Sequence, residues 1–344
     1  MRHVKIGDRL VGEGQPVFII AEIGYNFNTV QEAKASIDAA VECGVDAAKF
    51  QTFKAETITS RQTDFPVEAG ATNQFEEFKR YEMSEELHRE LFKYARSKKM
   101  LVFSTPSYFD DVDLLERLDV EVYKIGSDDL TNLPFISYVA EKKKPIIFST
   151  GMGTLAEVDE AVQTIRAAGN EQFVILHCVS NYPIRDLSAV NLNVIRTFRQ
   201  AFDVPVGFSD HTTTISAALG AVALGASVIE RHFTMDKNLP VPDAAFSADP
   251  AEMKVLVKSI RELERALGDG VKRPTPTEQA MRLETRKSTI AKTDIESGEV
   301  LTQDKIIVKR PGTGVPPKHA HLLYGRRAKR AIKIDEVITW EKVE

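Results

Sequence analysis

The sequence has few cysteines, no long apolar run and no basic run interleaved with aromatic residues. Its two cysteines, Cys43 and Cys178, cannot make a disulfide framework and are predicted to be small buried side chains. The apolar stretches fall far short of the roughly 20 residues that a membrane-spanning helix needs. The polar first residues also lack the apolar core of a signal peptide. We therefore expect a cytoplasmic protein that does not bind a membrane.

The charge balance argues against a nucleic-acid partner. The formal net charge is -5 over 344 residues, and the densest basic cluster, residues 326–330, is predicted to be a solvated loop and strand edge. An apolar content of 43% and a charged content of 28% are ordinary for a globular protein. The length suits one large domain followed by a small one.

Short apolar runs alternate with segments of helical periodicity over residues 17–268. The runs are Val17–Gly24, Ala47–Thr52, Leu101–Pro106, Val122–Ser127, Pro145–Thr150, Phe173–Ser180, Val204–His211 and Val228–Thr234. They are continuous rather than alternating in polarity, as expected for parallel strands buried on both faces. Eight such units over about 250 residues predict an α/β protein with a (β/α)8 (TIM) barrel. A doubly wound open sheet is the alternative fold.

The pattern changes after the barrel. Gly268, Gly270, Pro274 and Pro276 interrupt it, and short β-like pieces separated by turns follow. We predict a barrel domain over residues 1–270, a linker over 271–287 and a small, mainly β domain over 288–344. A domain of this last size is marginally stable alone and is expected to need a partner surface.

Active-site residues of such barrels lie at the carboxyl ends of the strands, and these ends are polar here. Lys49 and Lys124 lie within apolar runs, where an unpaired ammonium group is costly, and Arg231 is a third candidate cation. Cations together with nearby hydroxyl groups are what a phosphate and a carboxylate require. Glu22, at another strand end, is a carboxylate in an apolar run, which is costly to bury unless the group has a function.

Histidines end two neighbouring runs. His211 and His232 could hold a divalent metal ion while leaving positions open for substrate. For His177, support of the site and packing in the core remain equal alternatives. The hydroxyl residues are weak signals singly, because such residues often close turns. These residue types suggest phosphoenolpyruvate chemistry without establishing it.

Several motifs in the right order resemble the sialic acid synthase family, whose relatives make legionaminic, pseudaminic and related nonulosonic acids. They are Phe18–Gly24, Ala48–Gln51, Tyr123–Ser127, Ser149–Met152, Gly207–His211, Glu230–Thr234 and Asp236–Pro240. The segment Val308–Gly314 resembles the family's C-terminal antifreeze-like (SAF) domain. The resemblance covers nearly the whole chain, and the motifs are specific when taken together.

The resemblance implies a role for each matched residue. His211 and His232 would bind a divalent ion, usually Mn²⁺, with Mg²⁺ or Co²⁺ as alternatives. Glu22, Asp129 and Asp243 would share the proton transfers. The residues implied to bind phosphoenolpyruvate are Lys49, Thr105, Lys124, Ser127, Ser149 and Ser180. Gln51 and Tyr182 would line the pocket for an N-acylated amino sugar, and Arg310 would reach that sugar from the other subunit of a domain-swapped homodimer.

Two positions depart from the family pattern. Phe27 follows Asn26 where the family usually has histidine, so a polar contact near the site would be missing or supplied by Asn28. Ala244 stands where sialic-type members usually have histidine. The sugar is therefore left open. Two other functions also remain: a metal-dependent barrel aldolase or lyase that does not use phosphoenolpyruvate, and a non-catalytic carbohydrate-binding or assembly protein.

Overall fold

The structure, a computed structural model, describes residues 3–64, 73–239, 241 and 243–344. Pro240 and Pro242, which belong to or adjoin the family motifs, lie outside the described residues. The chain divides into two compact units, Met1–Gly268 and Asp269–Glu344, and each is described by itself.

The first unit is a nearly closed barrel of eight parallel strands. A hairpin of β1 (Val4–Ile6) and β2 (Arg9–Val11) precedes it. The barrel strands are β3 (Phe18–Gly24), β4 (Ala47–Thr52), β5 (Leu101–Pro106), β6 (Tyr123–Ile125), β7 (Ile146–Ser149), β8 (Phe173–Cys178), β9 (Val206–Asp210) and β10 (Val228–His232). Their order is β5-β4-β3-β10-β9-β8-β7-β6, and the end strands β5 and β6 pack side by side. The predicted (β/α)8 barrel is confirmed, and the open sheet is excluded.

Helices connect the strands and surround the barrel. They are α1 (Val30–Cys43), α2 (Ala55–Ile58), α3 (Gln74–Tyr81), α4 (Glu85–Ser97), α5 (Phe109–Arg117), α6 (Leu133–Glu141), α7 (Leu155–Ala167), α8 (Val194–Phe202), α9 (Ser216–Ala223) and α10 (Pro250–Leu267). Local sequence sets several starts: Thr154 and Glu157 form a capping box at α7, as Asp249 and Glu252 do at α10. Within the described ranges, no helix has the length and apolarity to cross a membrane.

The barrel interior has an apolar lower part and a polar upper part. The apolar part includes Val4, Ile6 and Val11 of the hairpin together with Phe18, Ile20, Ala47, Phe103, Val122, Ile147, Val174, Leu176 and Val228. Side chains alternate between the two faces of a strand, so the next side chain that points into the barrel is two residues further along each strand, toward its carboxyl end. Those residues include Glu22, Lys49, Lys124, Ser149 and Glu230, and all are buried. The apolar part therefore forms the floor of a polar mouth.

The second unit is small. It contains helix α11 (Pro276–Thr285) and a two-stranded antiparallel sheet of β11 (Ser288–Ala291) and β12 (Ile306–Lys309). Isolated bridges such as Val300↔Arg327 and Ala328↔Val343 hold the remaining extended residues. Its core consists of Ala291, Ile295, Leu301, Val315, Leu323, Ala328, Ile332, Ile338 and Val343. None of the residues of α11 is buried.

Candidate active site

The mouth contains a buried chain of alternating charges. Lys49 Nζ lies 2.7 Å from Glu22 Oε2 and 3.6 Å from Glu230 Oε2, and Lys124 Nζ lies 4.0 Å from Glu230 Oε1. Each of these four side chains is almost completely shielded from solvent. Two ammonium and two carboxylate groups balance one another, which offsets part of the cost of burying them.

Hydroxyl and amide groups complete this chain. Lys49 Nζ donates to Thr105 Oγ1 at 3.0 Å, and Lys124 Nζ donates to Ser149 Oγ at 2.7 Å. Gln51 Nε2 donates to Glu22 Oε1 at 2.8 Å. The predicted residues Thr105, Ser149 and Gln51 thus each contact a charged group of the mouth.

The register of β3 becomes irregular directly after Glu22. The register between β3 and β4 shifts between Glu22 and Gly24. Gly24 has φ of +56°, a conformation that favours glycine, and a Cβ there would lie 3.3 Å from Glu22 Oε1. The chain therefore turns over the barrel end directly after Glu22.

The burial of the charges changes their acidities. Burial, reinforced by Glu230, raises the pKa of Glu22 to about 7, although Lys49 opposes this. Burial also lowers the pKa of Lys124, and the nearby Lys49 charge lowers it further. For Lys49, the effect of burial is outweighed by Glu22 and Glu230, which raise its pKa. Glu22 can therefore exchange a proton near neutral pH, while Lys49 remains charged.

His211 and His232 lie side by side at the ends of β9 and β10. Their ring centroids are 5.3 Å apart, and both residues are buried. His211 Nδ1 is 2.9 Å from the Val179 carbonyl oxygen, so it carries the proton and leaves Nε2 free as a ligand. His232 Nδ1 is buried without a hydrogen-bond partner in the described part of the chain. Burial, followed by the His211 charge, holds the pKa of His232 well below its usual value, so this imidazole is neutral.

This pair fits a divalent metal ion with open positions. Imidazole nitrogens bind divalent transition-metal ions, and open positions filled by oxygen ligands from substrate or water also suit Mn²⁺. Over residues 3–64, 73–239, 241 and 243–344, no group of three or more His, Cys, Asp or Glu side chains is arranged to hold a metal. The protein would thus supply two ligands, and the other positions would be left for substrate or water.

Asp243 lies beside this pair. Its Oδ2 is 3.5 Å from His232 Nδ1. Burial raises the pKa of Asp243 to about 6, although His211 and Lys49 oppose the shift. Asp129, by contrast, lies in the turn after β6 and accepts a hydrogen bond from Asn132 at 2.9 Å. Burial, with Asp128 nearby, raises its pKa to about 6.

Two hydroxyl groups, those of Ser127 and Ser180, lie close to Gly151 at the end of β7, and Ser149 precedes Gly151 by two residues. The Gly151 N–H donates to Ser127 Oγ at 3.0 Å, and a Cβ on Gly151 would overlap Ser180 Oγ. Ser180 Oγ is buried and has no hydrogen-bond partner among the described residues. Ser180 also borders a cavity of about 470 Å³ that is lined on its other sides by residues such as His177, Asn191 and Phe198 rather than by the charged residues of the mouth. We call Ser127, Ser149, Ser180 and Gly151 the hydroxyl cradle; the missing Cβ keeps it open.

Aromatic rings line the outer side of the histidine pair. The Tyr182 ring is centred 4.3 Å from that of His211, and the Phe246 ring is 5.3 Å from that of His232. Ala244 is fully buried in an apolar cluster with Tyr25, Phe53 and Val241. The departure at Ala244 thus replaces a polar side chain with an apolar contact.

The structure corrects the expectation for Arg231 and, at Phe27, favours the alternative in which the polar contact is missing. Arg231 does not face the mouth: its guanidinium donates to Asp210 Oδ2 at 2.5 Å and to the carbonyls of Thr212 and Thr214. Phe27 packs edge-on against Phe50 in the core outside the barrel. Asn28, the other possible source of that contact, is exposed, and its backbone N–H donates to Glu32.

Of the two alternatives for His177, the geometry favours packing. Its ring stacks on Phe208, and Nε2 lies 2.6 Å from the Val190 carbonyl oxygen. Arg310 belongs to the second unit, where its side chain is exposed. Both cysteines are buried and free, as expected.

Sequence reasoning missed two residues of the site. Glu230 lies within contact distance of both lysines and accepts from Ser209 at 3.0 Å. Its signal was a carboxylate in an apolar run, the same signal that identified Glu22. Asn26 is buried and contacts two other segments of the mouth, although its sequence context resembles an ordinary turn.

Comparisons with known proteins agree with this geometry. The chain is 41% identical to N,N'-diacetyllegionaminic acid synthase of Legionella pneumophila, over 97% of this chain and 96% of that protein. It is 37% identical to human N-acetylneuraminate-9-phosphate synthase, over 98% and 95% of the two chains. The crystal structure of a sialic acid synthetase from Leptospira borgpetersenii, in complex with citrate, matches with a TM-score of 0.74 and 31% identity, covering 81% of this chain and 95% of the other.

The family matches cover both units. Residues 286–344 match the SAF domain, and residues 36–272, more than half of the chain, match the NeuB family. The expected resemblance to sialic acid synthases is confirmed: the chain belongs to the NeuB family and carries a C-terminal SAF domain.

Proposed function

We propose that this protein condenses phosphoenolpyruvate with an N-acylated amino hexose to give a nine-carbon 2-keto acid and phosphate. The observation that carries the proposal is the placement of Lys49 and Lys124 in a polar mouth at the same end of the barrel as the His211–His232 pair. The relatives support it, because those named above are synthases of sialic-type acids.

Phosphoenolpyruvate carries a phosphate and a carboxylate, and the mouth offers matching donors. Lys49 and Lys124 supply the positive charge, and the hydroxyl cradle with Thr105 supplies hydrogen bonds. Ser180 Oγ, which is buried without a partner in the described residues, would gain one on binding. In a site of low water content, such donors offset anionic charge more strongly than they would in bulk water.

The metal ion is proposed to be divalent, with Mn²⁺ as the first candidate and Mg²⁺ or Co²⁺ as alternatives. His211 and His232 would hold it, since one has a free ring nitrogen and the other a buried nitrogen without a partner in the described chain. When bound, such an ion polarises the aldehyde of an open-chain sugar.

The reaction balances with the groups present. A bond forms between C3 of phosphoenolpyruvate and the aldehyde carbon, and the aldehyde oxygen takes a proton. Water adds at C2 and loses a proton. The new C2 hydroxyl then loses its proton as the C2=O bond forms, and the C–O bond to phosphate breaks so that inorganic phosphate leaves. Glu22 and Asp243, with raised pKa values of about 7 and about 6, suit these proton transfers. Asp129 is the third candidate, nearer the hydroxyl cradle in sequence.

The sugar would lie on the side of Gln51 and Tyr182. The test is phosphate release from phosphoenolpyruvate with Mn²⁺ and three sugars: N-acetylmannosamine and the two 2,4-diacetamido-trideoxyhexoses that lead to legionaminic and pseudaminic acids. We expect sugar-dependent phosphate release and a nine-carbon keto acid by mass. Chelation should abolish activity, and added Mn²⁺ should restore it. Condensation without phosphate release would favour the alternative aldolase, and no binding of phosphoenolpyruvate would overturn the proposal.

We further propose a domain-swapped homodimer in which Arg310 of the partner chain reaches the sugar. Exposed apolar side chains in both units support a dimer: Met281 and Leu283 of α11 are 56% and 59% exposed, and Met152 at the end of β7 is 75% exposed. Such surfaces gain from being covered by a second copy.

Mixing two inactive variants tests the exchange. His211→Ala and Arg310→Ala, once mixed and allowed to exchange subunits, would form one complete site in each mixed dimer, about a quarter of all sites in a symmetric dimer. Recovery of about that share of activity supports the exchange. No gain over the unmixed variants, with subunit exchange shown by mass, would contradict it.

A further inference from the structure

Asn26 lies where three segments of the mouth meet. It is 2% exposed and follows β3 by two residues. Its Nδ2 donates to the Phe233 carbonyl oxygen at 3.1 Å and to Ser247 Oγ at 3.0 Å. Because a carbonyl oxygen can only accept, the contact with Phe233 identifies this atom of the amide as the donor nitrogen.

The contact with Ser247 extends to Asp243. Ser247 Oγ donates to the Asp243 carbonyl oxygen at 2.6 Å, and the Ser247 N–H donates to the same oxygen at 3.1 Å. Residues 243–247 therefore form a compact turn, and Asn26 attaches that turn to the end of β3.

The contact with Phe233 extends to His232. Phe233 directly follows His232, and its N–H donates to the Glu22 carbonyl oxygen at 2.7 Å. The amide of Asn26 therefore joins the segments that carry Glu22, His232 and Asp243. Glu22 and Asp243 are candidate proton-transfer groups, and His232 is a candidate metal ligand.

Burying the Asn26 amide costs free energy, because one of its polar atoms is left unpaired within the described part of the chain. Asn26 Oδ1 is buried and has no hydrogen-bond partner in the described residues, and an unpaired buried acceptor is unfavourable. A residue needed only to fill space could be apolar at this position. The two bonds from Nδ2 are what an apolar residue could not provide.

We propose that Asn26 is a positioning residue for the reaction: it holds the Asp243 turn against the end of β10, so that Asp243 stays beside His232. This inference rests on the proposed synthase function. Asn26 acts through Ser247 and Phe233, so it should affect the catalytic step more than the binding of phosphoenolpyruvate by Lys49 and Lys124.

The experiment compares Asn26→Ala and Asn26→Asp with Asn170→Ala. Asn170 is a matched control, because it is 3% exposed and its Nδ2 also donates to a backbone carbonyl, that of Lys144, at 2.8 Å. It precedes β8 and so lies at the opposite end of the barrel. Asn26→Asp keeps the size of the side chain and removes the donor, which provides a second variant if Asn26→Ala does not fold.

Two readouts are measured: steady-state kinetics with phosphoenolpyruvate and sugar, and amide hydrogen exchange of residues 233–248. In both Asn26 variants, kcat is expected to fall about 10- to 100-fold, since small displacements of reacting groups have effects of that size. The KM for phosphoenolpyruvate should stay within about twofold, and exchange in 233–248 should accelerate. Asn170→Ala should leave kcat and this exchange unchanged.

A double variant tests the route of the effect. Ser247→Ala breaks the same link from the other side, so Asn26→Ala/Ser247→Ala should lose little more kcat than Asn26→Ala alone. Additive losses would overturn the route through Ser247. Unchanged exchange or unchanged kcat in the Asn26 variants would overturn the positioning role. If the unmodified protein releases no phosphate with any sugar, the proposed function fails, while the exchange data still decide whether Asn26 holds the turn.

Discussion

Glu22 and Lys49 form a buried ion pair, with Oε2 and Nζ 2.7 Å apart, in the polar mouth of the barrel. The two residues are register partners on adjacent strands. Burial raises the pKa of Glu22, and Lys49 limits the rise, so the carboxyl group titrates at about 7. The pair thus places a carboxyl group that can gain or lose a proton near neutral pH next to an ammonium group that stays charged.

Glu22→Gln should therefore reduce catalysis while the fold is retained. The amide cannot transfer a proton, and general acid–base catalysis typically contributes about 10²- to 10⁴-fold, so kcat should fall within that range. The measurement is phosphate release with saturating sugar. Glu116→Gln is the control, because Glu116 pairs with Lys144 at 2.8 Å on helix α5, outside the barrel. An equal loss in both variants would indicate general destabilisation rather than a role in proton transfer.

Gly151→Ala should weaken binding of phosphoenolpyruvate. The added Cβ would overlap Ser180 Oγ and lie 2.8 Å from Ser127 Oγ, so it would fill the hydroxyl cradle. We expect the KM for phosphoenolpyruvate to rise at least about tenfold, a loss of about 1.4 kcal/mol in binding. Gly153→Ala is the control: its Cβ would overlap the Leu130 side chain instead, in the apolar core. That variant should lose stability and keep its KM.

The strands and the polar mouth could be predicted because both follow from the free-energy cost of burying polar and charged groups. Strands that are buried on two faces have continuous apolar sequences. A charged residue within such a sequence is unfavourable unless it is paired or has a function. That argument identified Glu22, Lys49 and Lys124. It could not tell which face each residue occupies, since a continuous apolar run shows no alternation. Arg231 was therefore considered for the mouth, although its neighbour Glu230 is the residue that faces inward.

Residues that act through the backbone were beyond sequence reasoning for a different reason. Asn26 contacts residues 207 and 221 positions away, and no local pattern encodes such partners. For Phe27, the sequence left open whether a polar contact is missing or supplied by Asn28, and the structure places Phe27 against Phe50 in the core. Phe27 follows the irregular register of β3 and β4, which the residue types do not reveal.

Arg231→Lys should weaken metal binding more than it affects folding. Arg231 holds Asp210 and the carbonyls of Thr212 and Thr214, which flank His211. Lysine can pair with Asp210, but its single nitrogen cannot reproduce the fork of contacts. Loss of such supporting contacts typically costs about 10- to 100-fold in metal affinity. Mn²⁺ titration followed by electron paramagnetic resonance measures this directly.

The matched control for Arg231→Lys is Arg261→Lys. Arg261 also combines a buried aspartate, Asp46, with a backbone carbonyl, that of Val17. Both partners lie at the opposite end of the barrel, just before β3 and β4. Arg261→Lys should therefore leave Mn²⁺ affinity unchanged. Equal affinities in the unmodified protein and Arg231→Lys would refute the supporting role of Arg231.

Asp111→Asn should change the pH dependence of stability. Asp111 is buried in the first turn of α5, and burial raises its pKa from 3.8 to about 6, although the backbone N–H groups of Ser107 and Tyr108 oppose the rise. Its folded-state pKa exceeds the unfolded value, so the protonated acid favours folding below about pH 4 and that contribution is lost as pH rises through 6. Asparagine does not titrate, so the variant escapes this loss. Between pH 4.5 and 7.5, its free energy of unfolding should gain about 1–3 kcal/mol relative to the unmodified protein.

Urea unfolding of Asp111→Asn and of the unmodified protein at pH 4.5 and pH 7.5 measures the difference between their free energies of unfolding. The contributions of the other titrating groups are the same in both proteins and cancel in this difference. Asp113→Asn, two residues further along α5, is the control, because the pKa of Asp113 is shifted in the opposite direction. Hydrogen bonds from Lys142 and Tyr138 lower the pKa of Asp113, so its carboxylate favours folding at neutral pH. That contribution is already complete above the unfolded-state pKa of about 3.8, so Asp113→Asn should keep nearly the same stability difference from the unmodified protein at pH 4.5 and pH 7.5. If Asp111→Asn and the unmodified protein keep the same difference at both pH values, Asp111 is ionised in the folded state with an ordinary pKa, and its burial is compensated by the α5 backbone.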